Sequence, residues 1–194
     1  MPANIAIFAS GSGSNAQNII EYFKDHSDIH VSVLMSNKKD ALALERARKL
    51  GVPTDTFDRE QFYNSDEVLN KLKVLQVDWI VLAGFLWLMP ANLVKAFPNT
   101  IINIHPALLP KFGGKGMYGM HVHNAVFEAG EPESGISIHY VNENYDEGTL
   151  IFQAKCLVEN GDTPETIAKK VQALEHEHFP KVVEELIKNC KKNI

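Results

Sequence analysis

Asn4-Ile5-Ala6-Ile7-Phe8-Ala9-Ser10-Gly11-Ser12-Gly13-Ser14-Asn15 is the stretch that decides the fold. Its first six residues are a short apolar run that reads as a buried strand. The Gly/Ser loop after it lets the backbone turn tightly and approach a ligand. Ala16 to Phe23 reads as a helix, and a helix start offers unpaired N–H groups and partial positive charge to a phosphate. Ser14 and Asn15 add side-chain donors. As Gly11-x-Gly13-x-x-Ala16, the loop also fits a dinucleotide fingerprint. That alternative requires an acid at the end of the second strand, Val31 to Met35. The strand ends in Ser36-Asn37-Lys38, and the first acid, Asp40, reads as a helix cap. A monophosphate therefore fits better than a dinucleotide, although the loop by itself is also compatible with a tight turn and no ligand.

Working outward, strands and helices alternate. Asp40 to Leu50 reads as a helix closed by Gly51. Ser65 to Gln76 reads as another, with Val68, Leu69, Leu72 and Leu75 on one face. Asp78 to Ala83 is a third buried strand, a short helix runs from Pro90 to near Phe97-Pro98, and Ile101 to Ile104 is a fourth strand. This order predicts an α/β fold, doubly wound around a mostly parallel sheet. Gly135 to Val141 and Thr149 to Lys155 alternate in polarity and predict two antiparallel edge strands joined through 142–148. Asp162-Thr163-Pro164-Glu165 starts a last helix, expected to run towards His178 and to be kinked or interrupted at Pro180.

With 194 residues, 45% hydrophobic and 22% charged, the chain suits a single domain over 1–194. Acidic residues outnumber basic ones by 24 to 19, and no basic cluster suggests a nucleic-acid surface. No apolar run approaches the roughly 18 to 20 residues needed to span a bilayer. Met1 to Asn4 lacks a basic-then-apolar secretory signal. Cys156 and Cys190 are far apart and lack metal-ligand spacing, which predicts free thiols in a reducing, cytoplasmic setting.

Asn103-Ile104-His105-Pro106 lies where the fourth strand ends, the position at which open parallel sheets hold ligands. Strand alternation places Asn103 and His105 on one side. Asp146 sits in the turn Tyr145-Asp146-Glu147-Gly148. Acyl transfer to an amine uses such a set: an amide and an imidazolium stabilise the oxyanion, and an imidazole with a carboxylate moves the proton. In this reading Asp146 holds the His105 ring charged.

Ser10 to Asn15, Ala83-Gly84-Phe85, Asn103-Ile104-His105-Pro106-Ala107-Leu108-Leu109-Pro110 and Tyr145 to Gly148 occur together and in this order. The combination spans essentially the whole chain and closely resembles the folate-dependent formyltransferases. The Asn-x-His-Pro-x-Leu-Leu-Pro string is highly specific for that fold. The Gly-Ser-Asn loop narrows the resemblance to the phosphoribosylglycinamide branch. It implies transfer of formyl from 10-formyltetrahydrofolate, as co-substrate, to the amine of glycinamide ribonucleotide in purine synthesis. It implies Asn103, His105 and Asp146 as the catalytic set. Gly13, Ser14 and Asn15 match the substrate-phosphate loop, and Glu175 matches an acid on the ribose hydroxyls, with Gln172 one turn before it. Leu86, Trp87, Leu88 and Met89, with Asn103, match the folate-lining segment, and Trp87 either stacks on the pterin or fills the pocket wall. The implied assembly is a monomer or weak homodimer without nucleic acid, membrane or metal. One segment departs from the pattern: Lys111 to His123 is longer and richer in glycine, and reads as a mobile lid.

His121-x-His123, read as a loop, and His176-x-His178, read on a helix, lack the further ligands of a metal site. His139, inside an alternating strand, reads as structural. A formyltetrahydrofolate hydrolase would share the triplet but is expected to carry an extra N-terminal domain, and a methionyl-tRNA formyltransferase an extra C-terminal one.

Overall fold

The computed structural model of the chain describes residues 2–192. In chain order its elements are β1 (Ala3–Phe8), α1 (Ser14–Phe23), β2 (Ile29–Ser36), α2 (Leu42–Lys49), β3 (Thr54–Thr56), α3 (Arg59–Tyr63) and α4 (Glu67–Val74). There follow β4 (Trp79–Leu82), α5 (Ala91–Ala96), β5 (Ile101–His105), α6 (Met120–Glu128), β6 (Glu133–Tyr140), β7 (Leu150–Leu157) and α7 (Pro164–Lys192). The strands form one sheet in the order β3-β2-β1-β4-β5-β6-β7. The first five run parallel, and β6 and β7 are antiparallel, as the alternating pattern predicted. The chain winds outward from β1 to β3, then restarts at β4 on the other side of β1. This reversal opens a crevice at the carboxyl ends of β1 and β4.

Period-two alternation divides β1 between two cores. Ile5 and Ile7 join Ile19, Phe23, Leu44, Ile167, Phe179 and Val183 beneath α1, α2 and α7. Ala6 and Phe8 join Phe57, Phe62, Leu72, Leu93 and Phe97 on the opposite face. No helix among the described residues is long and apolar enough to cross a membrane.

Several elements differ from the sequence reading. Helix α4 stops at Val74, and Leu75 is 39% exposed. The chain turns there through Gln76 at φ 50°, and the Val77 N–H reaches back to the Leu72 carbonyl at 3.0 Å. Pro180 does not end α7. Proline cannot donate to the carbonyl four residues earlier. That carbonyl, on His176, instead accepts from Asn18 Nδ2 at 2.8 Å. Phe179 and Val183, both fully buried, hold the helix on the sheet across the proline. Helix α3 carries a capping box: Asp58 Oδ1 accepts from the Gln61 N–H, and Gln61 Oε1 from the Asp58 N–H.

Strand β6 is buried along both faces rather than alternately exposed. Ile136 and Ile138 enter the core under α7. Ser137 and His139 point the other way, directly across the ladder from His105 and Asn103. The strand also carries Gly135, where a Cβ would lie 2.0 Å from the Ala154 carbonyl of β7. Replacing Gly135 by alanine therefore forces β6 and β7 apart. The expected outcome is a loss of about 1–3 kcal/mol, read as a lower urea midpoint at unchanged m-value.

Candidate active site

The switch point holds a cavity of about 790 Å³. Its walls come from Gly11–Asn15 after β1, Ala83–Leu86 after β4, Asn103–Pro106 at the end of β5, the 114–120 segment, Asp146 and one face of α7. The crevice is tied together beneath by Ser10, which is 1% exposed. Its Oγ donates to Asn37 Oδ1 at 2.7 Å and accepts from the Leu86 N–H at 3.0 Å, linking the ends of β1, β2 and β4. Helix α1 begins without a side-chain cap, so its first N–H groups remain available at the cavity edge.

Residues about 160 positions apart converge at this end. Gln172 Nε2 lies 3.3 Å from Ser14 Oγ, and Asn15 Nδ2 donates to Glu175 Oε2 at 2.9 Å. One N–H of the Asn15 carboxamide is thus taken by Glu175, and its Oδ1 is buried without a protein partner among the described residues. Asn15 and Glu175 therefore add acceptors beside the donors of the loop, and acceptors suit hydroxyl groups. Burial pushes the Glu175 carboxyl above its ordinary value, and the Asn15 hydrogen bond opposes the rise. Two cations missed in the sequence, Lys115 and Lys169, also line the cavity.

The 86–89 segment divides. Leu86 lines the cavity and is 36% exposed. Trp87, Leu88 and Met89 are not among the lining residues. Trp87 packs with Phe57, Phe62, Tyr63 and Phe85 at centroid distances of 5.7–6.4 Å, and the Arg59 guanidinium lies 5.0 Å from its ring. The Leu88 carbonyl accepts from the Tyr63 hydroxyl, and Met89 is buried in the core.

Asn103, His105 and Asp146 come together. His105 is 3% exposed, and its Nε2 lies 2.7 Å from the Phe112 carbonyl. A carbonyl only accepts, so Nε2 carries the proton and the neutral ring leaves its lone pair on Nδ1. Nδ1 stands 3.5 Å from Asp146 Oδ2. Burial pushes the His105 pKa below 6.5, against the opposing pull of Asp146 and the Phe112 carbonyl. Burial thus works against the charge that the sequence reading gives the ring, and Asp146 works for it. The Asp146 carboxyl is raised by burial, but His139, His105 and the Gly114 N–H outweigh that and hold it below 3.8. The Gly114 N–H donates to Oδ2 at 2.9 Å.

Ser137 fixes the turn after His105. Its buried Oγ donates to the Ala107 carbonyl at 2.7 Å and accepts from the Leu109 N–H and Gln153 Nε2 at 2.9 and 2.8 Å. His139, read as purely structural, belongs to the cluster: its Nε2 lies 3.1 Å from Asn103 Nδ2 and 3.6 Å from Asp146 Oδ1. His121 and His123 sit on α6 rather than on a loop. His123 is 6% exposed, lines the cavity, and leaves its Nδ1 without a protein partner among the described residues.

Comparison with known proteins agrees with this geometry. A model of the formyl transferase family matches residues 3–183. The chloroplastic phosphoribosylglycinamide formyltransferase of Arabidopsis thaliana is 46% identical over 185 residues, covering 92% of this chain and 63% of that protein. The chain thus spans just under two thirds of the length of that plant relative. The phosphoribosylglycinamide formyltransferase of Escherichia coli (strain K12) is 38% identical over 93% of this chain and 85% of its own length. The crystal structure of glycinamide ribonucleotide transformylase 1 from Symbiobacterium toebii superposes with a TM-score of 0.88 at 33% identity, covering 97% of this chain and 89% of that one. With its crevice, its Asn-x-His-Pro turn and these relatives all in agreement, the chain belongs to the formyl transferase family.

Proposed function

We propose that the chain transfers the formyl group of 10-formyltetrahydrofolate to the amine of glycinamide ribonucleotide, in purine biosynthesis. The observation that carries this reading is one cavity with two chemically distinct ends. At one end the uncapped start of α1, Gly13 and Ser14 offer donors to a phosphate, while Asn15 Oδ1 and Glu175 offer acceptors to ribose hydroxyls. At the other end Asn103, His105 and Asp146 form an acyl-transfer set. Lys169, on the α7 wall, supplies a positive charge of the sort the phosphate needs. Gln172 holds the Ser14 hydroxyl. The donor enters past Leu86, with Trp87 in an aromatic cluster and Met89 in the core backing the segment.

The amine nitrogen attacks the formyl carbon, forming a C–N bond and moving the carbonyl electrons onto oxygen. An Asn103 N–H stabilises that oxygen. The amine loses a proton to the free Nδ1 of neutral His105, and the imidazolium so formed pairs with ionised Asp146. The same proton then passes to the departing nitrogen of the folate as the second C–N bond breaks. His105 is thereby poised to accept before it donates, which its depressed pKa favours.

An assay following tetrahydrofolate release tests the reading. Consumption of 10-formyltetrahydrofolate should depend on the ribonucleotide, whereas equal consumption without it would indicate hydrolysis and overturn the proposal. Asp146→Asn and His105→Ala should each lower kcat by about 10² or more. Near wild-type rates in both would remove the assigned roles.

A further inference from the structure

The formyl-transfer reading asks Asn103 to present an N–H to the developing oxyanion, yet a carboxamide can present either its NH2 or its oxygen. Something must choose. His139 lies on β6 directly across the ladder from Asn103 and is 2% exposed. Its Nδ1 is 2.8 Å from the Tyr140 carbonyl. That carbonyl only accepts, so Nδ1 carries the proton, and in this tautomer Nε2 turns an unshared pair towards Asn103. The carbonyl is itself held in place by the hairpin, since a Cβ at Gly148 would lie 1.6 Å from the Tyr140 oxygen.

Asn103 Nδ2 therefore faces two acceptors, His139 Nε2 at 3.1 Å and Asp146 Oδ1 at 3.4 Å. In the flipped orientation the Asn103 oxygen would face that unshared pair and the carboxylate together. Of the two contacts, the one to Asp146 is long and the more readily exchanged. The first N–H stays on His139 while the second turns from Asp146 to the reacting oxygen. We propose that His139 is a positioning residue that locks the Asn103 carboxamide with its NH2 group towards the reaction centre. This rests on the formyl-transfer reading for its consequence in rate, but the contact itself does not.

The test compares variants in the formyl-transfer assay and reads the contact in the unaltered protein. His139→Phe keeps an aromatic ring but removes the acceptor, and should lower kcat about tenfold with little change in either KM. In an Asn103→Ala background the same change should cost under about twofold, because its partner is already gone. His139→Gln, which restores an acceptor, should recover most of the rate. Wild-type kcat in His139→Phe, an equal loss in both backgrounds, or a glutamine variant no better than phenylalanine would each overturn the proposal. In wild-type protein labelled with ¹⁵N, a scalar coupling between Asn103 Nδ2 and His139 Nε2 reports the N–H···N bond without turnover. Its presence supports the lock even where a variant fails to fold, and its absence removes the lock. Absence of ribonucleotide-dependent transfer in the wild type, with the coupling present, would sink the functional reading and leave the Asn103 orientation standing.

Discussion

The Asp146 carboxylate is the constraint around which the chemical end of the cavity is built. Its side chain is 11% exposed, so an ionised form survives only where donors and positive charge surround it. Two donors reach it, an Asn103 N–H from β5 and the Gly114 N–H from the segment before α6, and the imidazoles of His105 and His139 flank it from β5 and β6. Asp146 meets them from a turn in which its own φ is 55°, an uncommon backbone state for a residue with a side chain. The antiparallel return of β6 beside β5 follows from the same requirement. It places Ser137 opposite His105 and His139 opposite Asn103, so each functional side chain has a neighbour at fixed register.

The substrate end depends on a different long-range closure. Helix α7 runs back across α1 and contributes Ala168, Lys169, Gln172 and Glu175 to the cavity. Where it continues past Pro180, Asn18 takes the carbonyl that the proline leaves free. Tyr22 adds a second tie: its hydroxyl bonds Glu184, which pushes the Tyr22 pKa up to about 12 and, together with Lys188, pulls the Glu184 carboxyl down to about 2. On the same helix, Glu175 meets Asn15 of α1.

What could be read in the sequence was local or periodic. The β1 run and its loop announce the switch point, and the i, i+2 spacing puts Asn103 and His105 on one face. The Asp58-x-x-Gln61 spacing of the capping box is equally local. What could not be read depends on partners remote in the chain. Polar residues in β6 suggest a solvated face, and nothing local says that Ser137 and His139 are covered by the 107–109 turn and by Asn103. Asn15 has the composition of a phosphate ligand, and its bond to Glu175, 160 residues later, is not legible there. Trp87 has the chemistry for stacking on a flat ligand, and nothing local announces its contacts with Phe57 and Phe62. For His105 the pull of Asp146 towards the charged form is legible, and the burial that opposes it is not.

The 112–114 segment joins these points. Phe112 supplies the carbonyl that sets the His105 tautomer, and Gly114, two residues on, supplies an N–H to Asp146. Phe112 holds a φ of 55°, costly for an aromatic residue and sustained by the contacts its carbonyl makes. Withdrawing the segment would release the His105 ring to either tautomer and strip Asp146 of a donor in one movement. A residue before Met120 that merely covered the cavity would exclude water; this one also completes the proton-transfer pair. Contacts to both groups of the pair therefore come from one short segment beside the cavity. That gives a physical reason for the stretch after Leu109-Pro110 to be rich in glycine: it must reach across the crevice and set two hydrogen bonds within three residues.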